Sequence, residues 1–251
     1  MKNLAMGFQI GSFEYVRDET QSYHRVLSNE EKQNILFFYK NHVYIDGHFE
    51  DKPFFDRINK EDLSAKLQRD IQKVQKLFTI FENWGLIPTH NSNVFDIGCG
   101  CGIFINQWMR KGYGKGYGIE LSTLAKQISP VQENIEIMDA NSIMDLAFFQ
   151  DVYLIVALDI IEHLFDVHQV LSVIASKIQI GDRMVIEIPV IPSEIDAEQL
   201  MKYDYLYPTR HLHFYTKQGI ETEVIKSGFV MVKSILLKDN KKYLFLIEKK
   251  K

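Results

Sequence analysis

Residues 94–104 read VFDIGCGCGIF, an apolar run followed by three alternating glycines and a second apolar run. Glycine lets the backbone turn tightly and lets a ligand approach without a Cβ in the way. The N-terminus of the following helix adds N–H groups beside that ligand. Because ligands of parallel α/β sheets bind at the carboxyl ends of the strands, this stretch predicts a strand, a binding loop and a helix.

An acid at the end of the next strand strengthens this prediction. Glu120 closes the strand-like run Gly116–Glu120, and a carboxylate there can accept hydrogen bonds from both hydroxyls of a ribose. Two ligand classes fit such a site, dinucleotides and S-adenosylmethionine. The spacing Gly98-x-Gly100-x-Gly102 differs from the GxGxxG pattern that is typical of dinucleotide-binding loops.

Strand and helix patterns alternate along the rest of the chain, which predicts a parallel sheet with helices on both faces. The predicted strands are Asn93–Ile97, Gly116–Glu120, Asn134–Met138, Asp151–Leu158 and Arg183–Ile188. Near the C-terminus, Phe229–Leu237 and Lys242–Glu248 are β-rich and predict a hairpin that turns at residues 238–241. The expected fold class is a doubly wound, mostly parallel α/β sheet that ends in an antiparallel pair.

Four segments resemble, in order, the motifs of the class I S-adenosylmethionine-dependent methyltransferases. They are FDIGCGCG at 95–102, GYGIELS at 116–122, EIMDA at 136–140 and VALDIIEHL at 156–164. HLHFYT at 211–216 resembles an element of a subgroup that includes ubiquinone-type O-methyltransferases and enzymes of polysaccharide and secondary-metabolite clusters. The resemblance runs from Val94 to the C-terminus. It implies a seven-stranded Rossmann-like sheet with an antiparallel last strand, and S-adenosyl-L-methionine as cofactor.

The resemblance also implies a cofactor-binding role for residues of each motif. Asp96 would orient the glycine loop, which would pass beneath the methionine part and the ribose. Glu120 would bind the ribose hydroxyls, Leu121 would pack on the adenine, and Asp139 would accept from the adenine amino group. Asp159 would face the sulfonium end. The implied set is Asp96, Gly98, Cys99, Gly100, Gly102, Glu120, Leu121, Asp139, Ala140, Leu158 and Asp159.

Two of these carboxylates also have simpler interpretations. Asp139 could only begin a turn with Asn141, and Asp159 could cap the short helix that contains Glu162. A non-catalytic methyltransferase-like binding protein is a further alternative. The intact glycine loop and Glu120 count against it.

The chemistry of methyl transfer points to histidines. An alcohol or phenol acceptor must lose a proton, and histidine is suited to take it. The candidates are His163, after the fourth strand, and His211 and His213, which precede a helix. Each could equally brace its own loop. We predict an S-adenosylmethionine-dependent methyltransferase that acts at oxygen on a small molecule or a glycan intermediate.

A second enzymatic interpretation uses overlapping residues as metal ligands. The spacing Asp159-x-x-Glu162-His163, with a later His211 or His213, resembles the metal-binding pattern of small-RNA 3′-end 2′-O-methyltransferases. Such an enzyme would use Asp159, Glu162, His163 and His213, since carboxylates and imidazoles suit Mg²⁺ or Mn²⁺. The formal net charge of −4 counts against a nucleic-acid partner. The favoured prediction therefore includes no metal and no nucleic acid.

Composition bounds the remaining classes. Both cysteines lie in the glycine loop, where they cannot form a disulfide framework and lack the spacing of a zinc site. No apolar run has the length of a membrane span, and no signal peptide is visible. We expect a cytoplasmic protein, and leave a homodimer open.

Residues 1–90 lie outside the resemblance and are rich in aromatic side chains. A capping box at Ser28–Glu31 predicts a helix to about Asn41, and a periodic pattern from Glu61 to Trp84 predicts a long amphipathic helix. We predict a helical cap over residues 1–90 and a methyltransferase domain over residues 91–251. The cap could shape the acceptor pocket, or its aromatic rings could pack the helices onto the sheet.

Overall fold

The computed structural model describes residues 7–10, 12–45, 48–145, 151–203, 210–237 and 241–250. The fold is α/β with a mostly parallel central sheet of about seven strands, so the predicted Rossmann-like fold class is confirmed. The chain forms two compact units, one of residues 36–157 and one that combines residues 1–35 with residues 158–251. Within the described ranges, no helix has both the length and the hydropathy needed to cross a membrane.

The order of strands and helices from residue 93 onward follows the predicted alternation. The strands are β1 (Gly7–Ile10), β2 (Phe13–Arg17), β3 (Tyr23–Arg25), β4 (His42–Ile45), β5 (His48–Asp51), β6 (Asn93–Ile97), β7 (Gly116–Glu120), β8 (Ile135–Ile137), β9 (Val152–Leu158), β10 (Arg183–Ile191), β11 (His213–Thr216), β12 (Phe229–Leu236) and β13 (Lys242–Lys249). The helices are α1 (Asn29–Asn41), α2 (Lys52–Arg57), α3 (Lys60–Trp84), α4 (Ile103–Arg110), α5 (Thr123–Ile128), α6 (Val167–Lys177), α7 (Ala197–Met201) and α8 (Lys217–Lys226). The fifth strand of this alternation was predicted to end at Ile188, but β10 continues through Pro189 to Ile191. Beyond the proline, the backbone N–H of Val190 donates to the carbonyl of Lys241.

In the unit of residues 36–157, four parallel strands lie in the order β9-β6-β7-β8. Residues 94–97 of β6 and 154–157 of β9 are all buried, as expected for strands that are covered on both faces. Helix α4 connects β6 to β7, and α5 lies between β7 and β8. The loops after β6 and β7 lie at the carboxyl edge of this sheet and contain the predicted glycine loop and Glu120.

Helix α3 shows how some of the N-terminal aromatic residues are used. The helix is capped by the side chain of Asn59 and ends at Gly85, whose φ is +70°. Phe78 and Phe81 are buried and pack against Phe104 of α4, with ring centroids 5.4 Å and 5.9 Å apart. The predicted long amphipathic helix is confirmed, and these rings pack it on α4.

In the unit of residues 1–35 and 158–251, β13 runs antiparallel to β10 and forms an antiparallel pair with β12. The predicted antiparallel end of the sheet is therefore confirmed, although residues 238–240 of the predicted turn lie outside the described residues. The strand β11 pairs in parallel with β10 and antiparallel with β3. The strands β2 and β1 then follow β3 in antiparallel order.

The five strands β1 to β5 correct the prediction that residues 1–90 form a helical cap, because this segment contains both strands and helices. Tyr15 of β2 and Tyr23 of β3 are buried, and the Tyr15 ring lies 5.4 Å from that of Phe214 in β11. Alternating patterns this short are hard to separate from loops in a sequence. The strands β1 to β3 join the sheet through β11, which lies near the other end of the chain.

Helix α1 begins as predicted. The backbone N–H of Glu31 donates to Ser28 Oγ at 3.2 Å, and the N–H of Ser28 donates to Glu31 Oε2 at 2.8 Å. These two bonds form the expected capping box, which satisfies N–H groups at the helix start. The domain boundary between residues 90 and 91 stays a prediction.

Candidate functional site

The loop between β6 and α4 has the backbone geometry that its glycines predict. Gly98, Gly100 and Gly102 have φ values of +68°, +53° and +68°, a region that residues with a Cβ rarely adopt. A Cβ at Gly102 would lie 2.8 Å from Val131 Cγ2, whereas nothing described lies within 4 Å of the same position at Gly100. Gly102 therefore permits close packing inside the protein, and Gly100 presents an open face that a ligand can approach.

The carboxylate of Glu120, at the end of β7, is bound to the glycine loop. Its Oε2 accepts from the backbone N–H of Gly100, and its Oε1 accepts from that of Ser122, both at 2.8 Å. Burial raises the pKa of Glu120, and the backbone N–H groups partly offset that effect. Because each carboxylate oxygen has a second lone pair, the side chain can hold the loop and still accept from a ribose hydroxyl.

Asp96 lies inside β6 and is 3% exposed. Burial raises the pKa of this carboxyl well above its usual range, and the charge of Glu120 raises it further. The thiols of Cys99 and Cys101 are also buried, and burial raises the pKa of both. A thiol that stays protonated is a poor nucleophile, so neither cysteine is expected to act as one.

Asp139 follows β8 and forms the turn that the sequence left open. Its Oδ1 accepts from the backbone N–H of Asn141 at 2.9 Å and from the side-chain Nδ2 at 2.8 Å. Ala140 is buried and Leu121 is half-buried. The turn uses one oxygen of Asp139, so it is compatible with a contact between the other oxygen and an adenine amino group.

These residues fit a nucleoside cofactor. The open face at Gly100 leaves room for its approach, and the N-terminus of α4 begins directly after the loop. The Glu120 carboxylate provides acceptors for a ribose diol. The arrangement is that of a binding loop at the carboxyl end of a parallel strand.

In the other unit, Asp159 directly follows β9 and has an uncommon backbone conformation. Its φ is +55°, and its N–H donates to the carbonyl of Glu187 at 3.0 Å. The short 3₁₀ helix Ile161–His163 has Ile160 at its N-cap and no side-chain capping bond. The alternative in which Asp159 caps this helix is therefore wrong, and its carboxylate forms an ion pair with Lys242 of β13 instead.

Lys242 is a charged partner of Asp159 that the sequence did not reveal. Its side chain is 18% exposed, and its Nζ also lies 3.4 Å from Glu187 Oε1. Burial alone lowers the pKa of a lysine, but the carboxylates of Asp159 and Glu187 raise the pKa of Lys242 above its ordinary value. Asp159 and Lys242 are 83 positions apart, so no local spacing relates them. The one available signal is a lysine that opens the apolar strand β13.

Glu162, His163 and His211 form a second group in this unit. Glu162 is 1% exposed, and its Oε2 is buried with no hydrogen-bond partner among the described residues. Ligand atoms of the three side chains all lie within 4.8 Å of one another. Burial and the neighbouring Asp159 raise the pKa of Glu162 well above its usual range. The expectation of His213 in this group is corrected, because the structure places His211 beside Glu162 and His163.

The ring of His163 has a defined tautomer. Its Nδ1 lies 3.0 Å from the carbonyl oxygen of Arg210, and a carbonyl can only accept, so Nδ1 bears the proton and Nε2 has a lone pair. Burial lowers the pKa of His163 to about 4. The ring is therefore neutral near pH 7.

His213 has partners at both ring nitrogens. Its Nε2 donates to the carbonyl of Leu164 at 2.8 Å, so its Nδ1 accepts from His24 Nδ1 at 2.9 Å. Burial lowers the pKa of His213 to about 3. These contacts connect β11 both to β3 and to the segment after β9, which favours the bracing interpretation of His213.

Asp18 contacts the other ring nitrogen of His24, opposite the one that contacts His213. Its Oδ2 lies 3.1 Å from His24 Nε2, and its Oδ1 accepts from the N–H groups of Thr20 and Ser22 at 2.9 Å. Burial raises the pKa of Asp18, but the hydrogen bonds from His24, Thr20 and Ser22 outweigh it and lower the pKa to about 2. The ionised carboxylate is therefore favoured in the folded chain.

We expect Asp18→Asn to lower the free energy of unfolding by about 1 kcal/mol at pH 7, a value reduced for partial exposure. The folded pKa lies below the unfolded one, so the ionised group stabilises the fold above about pH 4 and its contribution is lost as the pH falls toward 2. Urea unfolding at pH 7 and pH 2.5 should show the difference shrinking. Glu19→Gln, at a side chain that is 80% exposed, is the control. An equal difference at both pH values would contradict the assignment.

Comparisons with known proteins identify the family and the fold. A family model described as a methyltransferase domain matches residues 58–234. No curated protein sequence matches the chain. Three solved structures show how widely the fold is shared, and each alignment covers most of both chains.

Geranyl diphosphate C-methyltransferase from Streptomyces coelicolor has a TM-score of 0.60 at 11% identity, with 89% of this chain and 100% of that chain covered. Magnesium protoporphyrin IX methyltransferase from Synechocystis has a TM-score of 0.57 at 15% identity, with 87% and 99% covered. An S-adenosylmethionine-dependent methyltransferase from Archaeoglobus fulgidus has a TM-score of 0.55 at 17% identity, with 70% and 94% covered. These similarities show the fold, and the family model covers more than half of the chain. The chain therefore belongs to the methyltransferase-domain family and is a class I S-adenosylmethionine-dependent methyltransferase.

Proposed function

We propose that this methyltransferase acts on an oxygen atom of a small molecule or a glycan intermediate. The observation that carries the proposal is the tautomer of His163, whose Nδ1–H donates to Arg210 and whose Nε2 has a lone pair for a hydroxyl proton. Burial keeps this ring neutral near pH 7. The net charge of −4 supports an acceptor other than a nucleic acid.

S-adenosylmethionine, when bound, supplies a methyl group that is already activated on a sulfonium. In the proposed site, Glu120 accepts from the ribose hydroxyls and Asp139 accepts from the adenine amino group. Asp159 faces the sulfonium end. The proposed cofactor-binding residues are Asp96, Gly98, Cys99, Gly100, Gly102, Glu120, Leu121, Asp139, Ala140, Leu158 and Asp159.

The proposed reaction requires the protein to align the acceptor oxygen with the methyl group and to take one proton from the acceptor hydroxyl. The bound cofactor would supply the activated methyl group, and correct alignment of the acceptor oxygen with that group would supply much of the rate. The acceptor hydroxyl donates to His163 Nε2, which takes the proton. Because His163 is a weak base, the proton leaves as the new bond forms. His211 and His213 are assigned supporting roles in the same segment.

The test is a product screen. The purified chain is incubated with S-adenosylmethionine and a panel of phenols, alcohols and glycan intermediates, and products are analysed by mass spectrometry. We expect an acceptor that gains one methyl group, with fragmentation that locates it on oxygen. A methyl group on nitrogen or carbon would contradict the oxygen assignment.

A second candidate is metal-assisted methyl transfer, which one observation favours. The atoms of Glu162, His163 and His211 that converge within 4.8 Å are a donor set suited to a divalent transition metal. A bound cation would lower the pKa of an acceptor hydroxyl. Loss of activity on chelation, with recovery on adding Mn²⁺, would support this candidate. Unchanged activity in the presence of a chelator would exclude it.

We also propose that residues 1–90 shape access for the acceptor. Phe37 and Tyr44 are 71% and 50% exposed. Aromatic rings exposed to this degree can contact a ligand or a second copy of the chain. The location of the protein in the cytoplasm stays a prediction.

A further inference from the structure

The residue that follows β9 is held by a lysine from the last strand. Lys242 Nζ contacts the carboxylate of Asp159 and lies 3.4 Å from that of Glu187. The side chains are 18%, 32% and 13% exposed, in the order Lys242, Asp159 and Glu187. All three side chains are partly shielded from water, so removal of Lys242 would leave two carboxylates without their cationic partner.

The backbone of Asp159 needs such a constraint. Its φ of +55° lies in the left-handed region, which is unfavourable for L-residues, although Asp and Asn tolerate it better than most. The N–H of Asp159 donates to the Glu187 carbonyl at 3.0 Å. Lys242 and Glu187 therefore hold both the backbone and the side chain of Asp159.

The two oxygens of the Asp159 carboxylate have different surroundings. Lys242 contacts Oδ2, whereas Oδ1 of Asp159 is buried and has no hydrogen-bond partner among the described residues. Glu162 is a third carboxylate in this region, and its charge interacts with both Asp159 and Lys242. The ammonium of Lys242 thus lies between the carboxylates of Asp159 and Glu187, so its removal would leave two like charges that repel one another.

We propose that Lys242 is a positioning residue that sets the orientation of the Asp159 carboxylate toward the sulfonium end of the cofactor. This inference rests on the proposed role of Asp159. A carboxylate beside the sulfur attracts S-adenosylmethionine, whose sulfonium is positive, and has no such effect on S-adenosylhomocysteine, whose sulfur is neutral. The ratio of the two affinities therefore reports on the charge that Lys242 positions.

The experiment is titration calorimetry with both ligands, on the full chain. Asp159→Asn removes the charge and tolerates the same backbone region. In this variant we expect the dissociation constant of S-adenosylhomocysteine, divided by that of S-adenosylmethionine, to fall at least about fivefold. We expect Lys242→Met to lower the ratio similarly, and the double variant to lower it no further than Asp159→Asn does.

Three further variants make the test specific. Lys242→Arg keeps the charge and should hold the ratio within about twofold of the wild-type value. Lys233→Met, at an exposed position of β12, is the matched control and should leave the ratio unchanged. If Lys242→Met does not fold, Lys242→Gln replaces it, because glutamine keeps a donor and removes the charge.

The outcomes separate positioning from structural support. A structural role alone would weaken both ligands equally, so an unchanged ratio in Lys242→Met would overturn the proposal even if the melting temperature fell. A ratio that rises, or one that Asp159→Asn does not change, would also overturn it. Absence of binding of either ligand to the wild-type chain would overturn the proposed role of Asp159 together with the positioning role.

Discussion

Glu120→Ala is expected to lose at least about 100-fold in affinity for S-adenosylhomocysteine. The carboxylate accepts from the backbone N–H groups of Gly100 and Ser122 and has further lone pairs for the ribose hydroxyls. Hydrogen bonds to a charged group are worth about 1.5–3 kcal/mol each, and two of them correspond to about 100-fold or more. The affinity is measured by titration calorimetry.

The control for this prediction is Glu136→Ala, which removes an exposed glutamate of β8. Its affinity should equal that of the wild type. Because Gly100 loses an acceptor in Glu120→Ala, the melting temperature of each variant shows how much of the loss comes from a loosened loop. Unchanged affinity in a folded Glu120→Ala variant would disprove the ribose assignment.

His163→Asn is expected to slow turnover by about 100-fold to 1,000-fold, in the range typical of a lost general base, while cofactor affinity changes less than about threefold. Asparagine can keep the donor to the Arg210 carbonyl, but it has no counterpart of the Nε2 lone pair. The measurement compares kcat on the acceptor found in the product screen with the dissociation constant for S-adenosylhomocysteine.

His168→Asn is the control for that comparison, since His168 is a histidine of α6 whose side chain is 55% exposed. Its kcat should match the wild-type value. If His163→Asn loses cofactor affinity in proportion to turnover, His163 supports the fold of the site and does not take the proton.

The sheet and its cofactor loop were predictable because their signals are local. The strand at residues 93–97, the glycines that follow and Glu120 at the end of the next strand form one continuous pattern, and the structure has them as predicted. The positive φ values of Gly98, Gly100 and Gly102 are ones that glycine adopts without steric cost. The Ser28 capping box was equally readable, because its partners are three residues apart.

The features that the sequence did not reveal depend on contacts between distant residues. The hydrogen bond of His24 to His213 spans 189 positions and joins two short strands. It also explains why His213 lies outside the group of Glu162, His163 and His211. Sequence spacing could not decide which of His211 and His213 joins that group. Lys242 reaches Asp159 only because β13 runs antiparallel to β10, so its role required the register of the sheet.

The most direct test of the account is titration calorimetry of the wild-type chain with S-adenosylhomocysteine and, separately, with NAD and NADP. The glycine spacing, the open face at Gly100 and the Glu120 carboxylate predict saturable binding of S-adenosylhomocysteine at one site per chain, and no binding of either dinucleotide. No detectable binding of S-adenosylhomocysteine, together with saturable binding of NAD or NADP, would contradict the account.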